Sequence, residues 1–427
     1  MGFRQRLSEI RTGFEPAFWV ANVSELFERL AYYAAFASLA NYLHEALGFS
    51  TEQTSSLAGF FGGLVWFLAI VGGALADRLG FRRALSTAYL ILTAAYFLLG
   101  SIGSPWLAPV RNAVPLWWLV LIILALPALG VSLVKPSVVG TTARASSENV
   151  RSIGYSIYYT LVNVGGAAGG YMASVVHQHL GVANVFRVAA LCVFAMLIAV
   201  VLFFHEPQRS GETRTATLSA AGRHFFTVIS NPRFMLFLII FSGYYVVFWQ
   251  QYITMPLYIH TYIDPHANVE LILITDGAAV ICLQILISYL LRSLAPFRAI
   301  TLGMLISGLA WLILSFHAAV WTAVLSIFVL AIGEMVQQPR YYEYISRLAP
   351  PGQQGTYMGF AFLPIGIGSL VGGWLGGRLM HHFGEVTHHP ERMWWAITGV
   401  GVATALLLWL YDIFLIPDAA KAVAPVA

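Results

Sequence analysis

A chain of 427 residues that is 59% hydrophobic and only 10% charged lies outside the soluble range, where about a quarter of residues carry charge, and reads as a polytopic membrane protein. Its net charge of +4 comes from arginines spread over loops rather than from a basic tract, which points to membrane topology and away from nucleic-acid partners. Cys192 and Cys282 both sit inside apolar runs, so neither a disulfide framework nor a thiolate metal site is indicated, and Met1 to Arg11 shows no cleavable signal.

Apolar runs bounded by Arg, Pro, Gly or acidic residues predict twelve membrane helices at about 14–43, 53–76, 83–102, 115–142, 152–178, 184–204, 232–261, 268–291, 297–317, 320–346, 354–381 and 392–416. Most cationic residues, from Arg4 to Lys421, fall at alternate ends of these spans. The positive-inside bias therefore predicts a multi-pass protein of the inner (cytoplasmic) or plasma membrane with both termini cytoplasmic. The longest polar segment, His205 to Arg233, predicts an N-terminal six-helix bundle at 1–205, a cytoplasmic linker at 206–231 and a C-terminal six-helix bundle at 232–427. A short amphipathic helix is expected in that linker near Leu218 to Ile229. The expected class is an all-α membrane protein with the layout of the major facilitator fold, whose substrate site lies between the halves near the midplane.

The first span carries Glu25, Glu28, Arg29, Tyr32 and Tyr33 within an otherwise apolar run. Glu25, Glu28, Arg29 and Tyr32 share one helical face, and a charge at the bilayer centre costs on the order of 3 kcal/mol or more, so this stripe is expected to face water, ions or a substrate. The competing reading is a self-neutralising cluster that only joins helices. Between spans two and three, Gly73, Asp77, Arg78, Gly80 and Arg82 form a cluster of small residues, an acid and arginines at a cytoplasmic helix end. Such a cluster can latch one conformation and release it in another.

Among 23 cationic residues only Lys135 and Lys421 are lysine, and Lys135 lies inside the fourth span, followed by Pro136. An ammonium can lose its proton where a guanidinium cannot, so Lys135 is either a residue that changes charge during transport or a static ion-pair partner. Asn163 in span five can donate and accept, as a zwitterionic ligand or a neighbouring helix would require. Tyr244, Tyr245, Trp249, Gln250, Gln251 and Tyr252 are expected to form an aromatic and amide wall in span seven, unless they are interface-belt aromatics. Asp276 in span eight stands near either an apolar run or the outer surface. Glu334, preceded by Gly333 in span ten, lies roughly 18 Å from its cytoplasmic end and Lys135 roughly 12 Å, by helical rise. A contact between these two that breaks on protonation of Glu334 or arrival of a ligand carboxylate would couple a proton to a solute.

Ten histidines fall at predicted outer ends, among them His44, His260, His381 and His389, and read as solvated loop residues that could alternatively sense an acidic exterior or bind metal. No nucleophile or metal constellation lies at one depth, which argues against a membrane enzyme. No cofactor is implied beyond protons as the coupling ion, and the expected partners are the bilayer and a small-molecule or peptide substrate, with the chain acting as a monomer.

These residues together resemble the proton-coupled oligopeptide transporters of the major facilitator superfamily. Glu25-x-x-Glu28-Arg29-x-x-Tyr32-Tyr33 is similar to that family's first-helix motif, Gly130-x-x-x-x-Lys135-Pro136 to its fourth-helix element, and Tyr158-Tyr159-x-x-x-Asn163-x-Gly165 to its fifth. Gly333-Glu334, Pro339, Ala349-Pro350, Gly355 and Gly359 resemble its tenth and eleventh. The resemblance implies that Arg29 and Lys135 receive a substrate carboxylate and that Asn163 and Glu334 receive its amino end. It further implies that Glu25 and Glu28 assist proton coupling and that Tyr32 and Tyr33 line the pocket. The chain departs from the pattern at Phe36, where the family has Arg, at Trp249 or Gln250, where it has an acid, and at Thr275 or Asp276, where it has Asn. Those departures leave open two expectations: proton-coupled import of di- or tripeptides, and uptake or efflux of another small amphiphilic solute or drug.

Overall fold

The computed structural model describes residues 13–207, 228–291, 293–348 and 354–415. Long helices dominate because a backbone in hydrocarbon must satisfy its own N–H and C=O groups. They are α1 (Pro16–Asn41), α2 (Thr51–Leu79), α3 (Phe81–Ser101), α4 (Leu116–Arg144), α5 (Arg151–Leu180) and α6 (Val182–Phe203). After the linker come α7 (Pro232–Phe248, continued by Gln250–Ile253 and Met255–Tyr262), α8 (Val269–Leu290), α9 (Pro296–Phe316) and α10 (Val320–Leu348). The chain ends with α11 (Gln354–Phe360 and Leu363–Met380) and α12 (Arg392–Leu415). Among the described residues ten helices are long and apolar enough to cross a membrane. The two long helices outside that set, α1 and α5, are the ones that carry the buried charges and the Tyr-Asn-Gly stretch. The linker helix expected near Leu218 lies largely outside the described residues.

Interruptions in two helices were not anticipated. α7 is interrupted at Trp249 and Thr254, and α11 at Ala361–Phe362. Pro256 and Pro364 lack the N–H groups that Tyr252 and Phe360 carbonyls would accept from, so each helix yields about one turn before its proline.

The chain divides into two compact units, one comprising Met1–Tyr42 and Phe67–Thr215, the other Leu43–Trp66 and Ala216–Ala427. In the first unit α1 packs against α5 and α6, and α3 against α4 and α6. Gly165 and Gly169 of α5 make the α1 contact possible. A Cβ on Gly165 would stand 2.5 Å from the Leu26 carbonyl oxygen and 2.9 Å from Arg29 Cβ, and one on Gly169 2.5 Å from the Leu30 carbonyl. In the second unit α7 packs on α11 and α12, α9 on α10 and α12, and α8 on α10. There Gly333 meets the Gly303 carbonyl and Ser307 of α9, which fixes the height and rotation of Glu334 next to it.

Candidate functional site

In the first unit the polar stripe of α1 is fully built into the protein. Glu25, Glu28 and Arg29 are buried, as is Tyr32, while Tyr33 and Lys135 are partly so. The Arg29 guanidinium holds Glu28 Oε2 through Nε at 2.6 Å and Nη2 at 2.5 Å, stands 3.5 Å from Glu25 Oε1, and lies 5.0 Å from the Tyr32 ring centroid. Lys135 of α4 joins this knot electrostatically, interacting with Glu25, Glu28 and Arg29. Two acids and two cations therefore sit together in an apolar bundle with formal charges that cancel.

The cancellation is electrostatic and leaves acceptors over. Both Glu25 carboxylate oxygens and Glu28 Oε1 are buried without a hydrogen-bond partner among the described residues. Buried carboxylate oxygens without donors are rare and expensive, so they mark positions where a proton, a water or a ligand belongs. The Tyr89 hydroxyl donates to Ser24 Oγ at 2.9 Å, and Tyr158 feels the charges of Glu25, Arg29 and Glu28. Sequence reasoning gives neither tyrosine this role. The signal for Tyr158 is its place in the Tyr158-Tyr159-x-x-x-Asn163-x-Gly165 stretch, whose Tyr159 is exposed. Asn163 donates its amide to the Tyr159 carbonyl one turn back at 2.8 Å, leaving its Oδ1 for other donors.

At the turn between α2 and α3 the Glu206 carboxylate makes two hydrogen bonds. Gly80 takes φ 79°, which favours glycine, and the Glu206 carboxylate accepts from the Phe81 and Arg82 N–H groups at 2.8 and 2.9 Å, capping α3. Arg82 Nη2 donates to the Val201 carbonyl at 2.7 Å, and Arg78 is exposed. The side chains of Gly73 and Asp77 lie outside the described residues. The same turn carries a cap from Glu206, a residue assigned to the linker.

In the second unit the side chains of span seven face two different neighbours. Trp249 is buried with its indole N–H donating to the Ile365 carbonyl at 3.1 Å, and Gln250 is fully buried with Nε2 donating to the Val246 and Gly372 carbonyls at 2.7 and 3.1 Å. Gln250 Oε1 accepts from the Thr254 hydroxyl at 2.5 Å. These two side chains therefore tie α7 to α11 beside the break, where freed backbone groups need partners. Gln251 and Tyr252 point the other way and both donate to Asp276 of α8. Asp276 is buried and lies within hydrogen-bonding reach of Glu334. The two acids, read separately in the sequence, are therefore neighbours.

Three of the outer histidines are paired with carboxylates: His260 Nδ1 with Glu45 at 2.6 Å, His381 with Glu385 at 2.7 Å and His389 with Glu391 at 3.2 Å. Among the described residues no group of three or more His, Cys, Asp or Glu could hold a metal ion.

The sequence profile of the Major Facilitator Superfamily matches residues 23–304 and again 263–425. The chain belongs to the Major Facilitator Superfamily. This major facilitator protein is accordingly a multi-pass membrane transporter and not an enzyme. It is 24% identical over 348 residues to the multidrug resistance protein MdtH of Klebsiella pneumoniae subsp. pneumoniae, covering 80% of this chain and 81% of that one. It is 22% identical over 390 residues to MdtH of Escherichia coli O1:K1 / APEC, covering 90% and 91%. Its fold resembles a POT family transporter solved with 5-aminolevulinic acid, at TM-score 0.76 and 16% identity over 93% of this chain and 96% of that one. It resembles equally a mutant of a peptide transporter POT solved with alafosfalin, at TM-score 0.75 and 18% identity over 93% and 94%. The twelve-helix architecture expected from the apolar runs is that of these neighbours.

Proposed function

We propose that this major facilitator protein is a secondary active transporter that couples proton movement to import of di- or tripeptides or similar small zwitterions. The observation that carries this reading is the neutral knot of Glu25, Glu28, Arg29 and Lys135 in the first unit. Protonating either acid there leaves one cation in excess, and a ligand carboxylate is the partner that restores balance. The second unit offers the opposite charge, in Asp276 and Glu334, which suits an ammonium. The first unit thus suits a carboxylate and the second an ammonium, and protons are the only coupling ion required. Arg29 and Lys135 take the carboxylate, Glu25 and Glu28 exchange the proton, Tyr32, Tyr33 and Asn163 shape the ligand end of the first unit, and Glu334 receives the amino end. The protein works as a monomer in the inner or plasma membrane with both termini in the cytoplasm.

Titrating the purified protein with dialanine, its N-acetyl form and its C-terminal amide tests the assignment. Binding of dialanine that weakens about tenfold or more on blocking either end is expected, since each lost charge-assisted hydrogen bond is worth about 1.5–3 kcal/mol. Equal binding of all three forms would overturn it. The curated relatives named multidrug resistance proteins favour a second reading, export of a non-peptide amphiphile. Tight binding of a lipophilic cation with no response to any of the three dipeptide forms would establish that reading in place of the first.

A further inference from the structure

We propose that residues 43–66, the turn after α1 with the first part of α2, are a detachable strip that closes one end of the transporter, and that a proton-dependent bond from His260 to Glu45 clasps it shut. By its contacts this strip belongs to the second unit, although the chain on either side, up to Tyr42 and from Phe67, belongs to the first. α2 is one unbroken helix from Thr51 to Leu79, and its later part is seated in the first unit, where Gly72 lies against the Ser132 backbone of α4. An unbroken helix cannot follow both units, and carriers of this fold work by rocking one half against the other. The strip is therefore the part that lets go. Its grip on α11 suits that task. A Cβ on Gly59 would stand 2.6 Å from the Ser369 carbonyl oxygen, one on Gly373 2.7 Å from Gly59 Cα, and one on Gly377 2.9 Å from Ser55 Cβ. The Ser369 hydroxyl donates to the Gly59 carbonyl at 3.0 Å. Small residues let the two backbones meet with no long side chain to withdraw when they part, and none of these groups titrates.

The ionisable contacts gather at the start of the strip. His260 Nδ1 of α7 lies 2.6 Å from Glu45 Oε1, the Thr51 hydroxyl donates to Glu385 Oε1 at 3.1 Å, and His381 Nδ1 lies 2.7 Å from Glu385 Oε2. Glu45 and Glu385 both sit in short π-helical continuations, Tyr42–Ala46 after α1 and His381–Val386 after α11, a winding found mostly at functional sites. His260 makes the clasp depend on pH, because its Nε2 faces a second oxygen, the Ala267 carbonyl, at 3.0 Å. The imidazolium donates to both oxygens, whereas the neutral ring has one N–H and turns a lone pair on the other. Two charged groups act on His260, Glu45 from the strip and Glu270 from α8, and both favour its proton. The other ionisable groups of this end are engaged elsewhere: Asp264 accepts from the His266 N–H at 2.9 Å, His44 lies 2.8 Å from the Phe49 carbonyl, and Tyr262 is beside Glu385. Acid therefore holds the strip down and alkali loosens it, whichever solute the protein carries.

Spin labels on Gln53→Cys and Val386→Cys, both exposed positions, report the distance from the strip to the end of α11 by pulsed electron resonance in a Cys192→Ser/Cys282→Ser background. The full chain in nanodiscs meets the same pH on both faces, so the reading does not depend on orientation. At about pH 5 one short distance is expected. At about pH 9 the ratio of a longer population to the short one should rise about tenfold or more, the worth of one charge-assisted hydrogen bond. In His260→Gln and Glu45→Gln the distribution should no longer change with pH, and elution of both as the wild type elutes separates a lost clasp from a lost fold. His389→Gln, which removes a histidine paired with Glu391 instead of with the strip, should respond as wild type. A wild-type distribution unchanged by pH, a response that survives in both His260→Gln and Glu45→Gln, or one lost in His389→Gln as well would overturn the clasp.

Discussion

Removing the Arg29 guanidinium tests whether the α1 stripe is a charged knot or a set of neutral hydrogen-bonding groups. In Arg29→Ala the Glu28 carboxylate loses contacts at 2.6 and 2.5 Å and Glu25 loses its ion pair at 3.5 Å, with both side chains at most 1% exposed. Breaking a buried ion pair from one side costs about 3–5 kcal/mol, because the remaining charge has neither solvent nor partner. Lys135 is the only other cation of the knot and is shared between the two acids. The quadruple variant Glu25→Gln/Glu28→Gln/Arg29→Met/Lys135→Met removes the charges together and roughly keeps the volumes, so it should recover all but about 1 kcal/mol of the wild-type stability. Thermal and denaturant unfolding of the purified proteins in lipid nanodiscs, followed by tryptophan emission, gives the comparison. Arg29→Ala as stable as wild type would show that the acids are not held as anions, and the charge-balance reasoning would fail.

Two further outcomes follow from the geometry. Gly165→Ala places a methyl 2.5 Å from the Leu26 carbonyl oxygen and 2.9 Å from Arg29 Cβ, both on one side of the α1–α5 contact, so α5 must back away. A loss of about 1–3 kcal/mol is expected, read as a lowered unfolding midpoint, and Gly399→Ala, which meets no atom within 4 Å, should behave as wild type. His260 faces an oxygen from each ring nitrogen, Glu45 Oε1 at 2.6 Å and the Ala267 carbonyl at 3.0 Å, which only the doubly protonated ring can satisfy. Although burial opposes the charge, the hydrogen bond to Glu45, the Ala267 carbonyl and the nearby Glu45 and Glu270 charges raise this imidazole above its ordinary value of 6.5. A raised folded value means that the stabilisation is complete below about pH 6.5 and disappears as pH rises through the higher, folded value. Unfolding midpoints measured from pH 5 to 9 should show this step in the wild type and lose it in His260→Gln or Glu45→Gln.

The spans were legible because a bilayer leaves only helices as an option, and even the charged α1 and the Gly-rich α5 kept enough apolar length to be placed within a few residues. The α1 knot was legible for the same reason, since four polar side chains one turn apart inside an apolar run have few explanations. What escaped was contact between elements distant in sequence. The rotation of α7 decides that Trp249 and Gln250 face α11 while Gln251 and Tyr252 face α8, and the apolar pattern of the span does not state that rotation. Asp276 could not be matched to Glu334 because nothing in either helix alone says that α8 and α10 are neighbours. Glu206 was missed because a carboxylate at the start of a polar linker looks solvated, and only the fold shows it returning to the amino end of α3.

The most direct test is proton flux in liposomes containing the purified protein, with an internal pH dye, an imposed inward proton gradient and dialanine added outside. The charge-balance account predicts dialanine-dependent internal acidification that is abolished in Glu28→Gln and in Lys135→Ala, each of which still inserts and folds. Acidification that persists in both variants, or dialanine uptake that proceeds with no proton movement in the wild type, would contradict it.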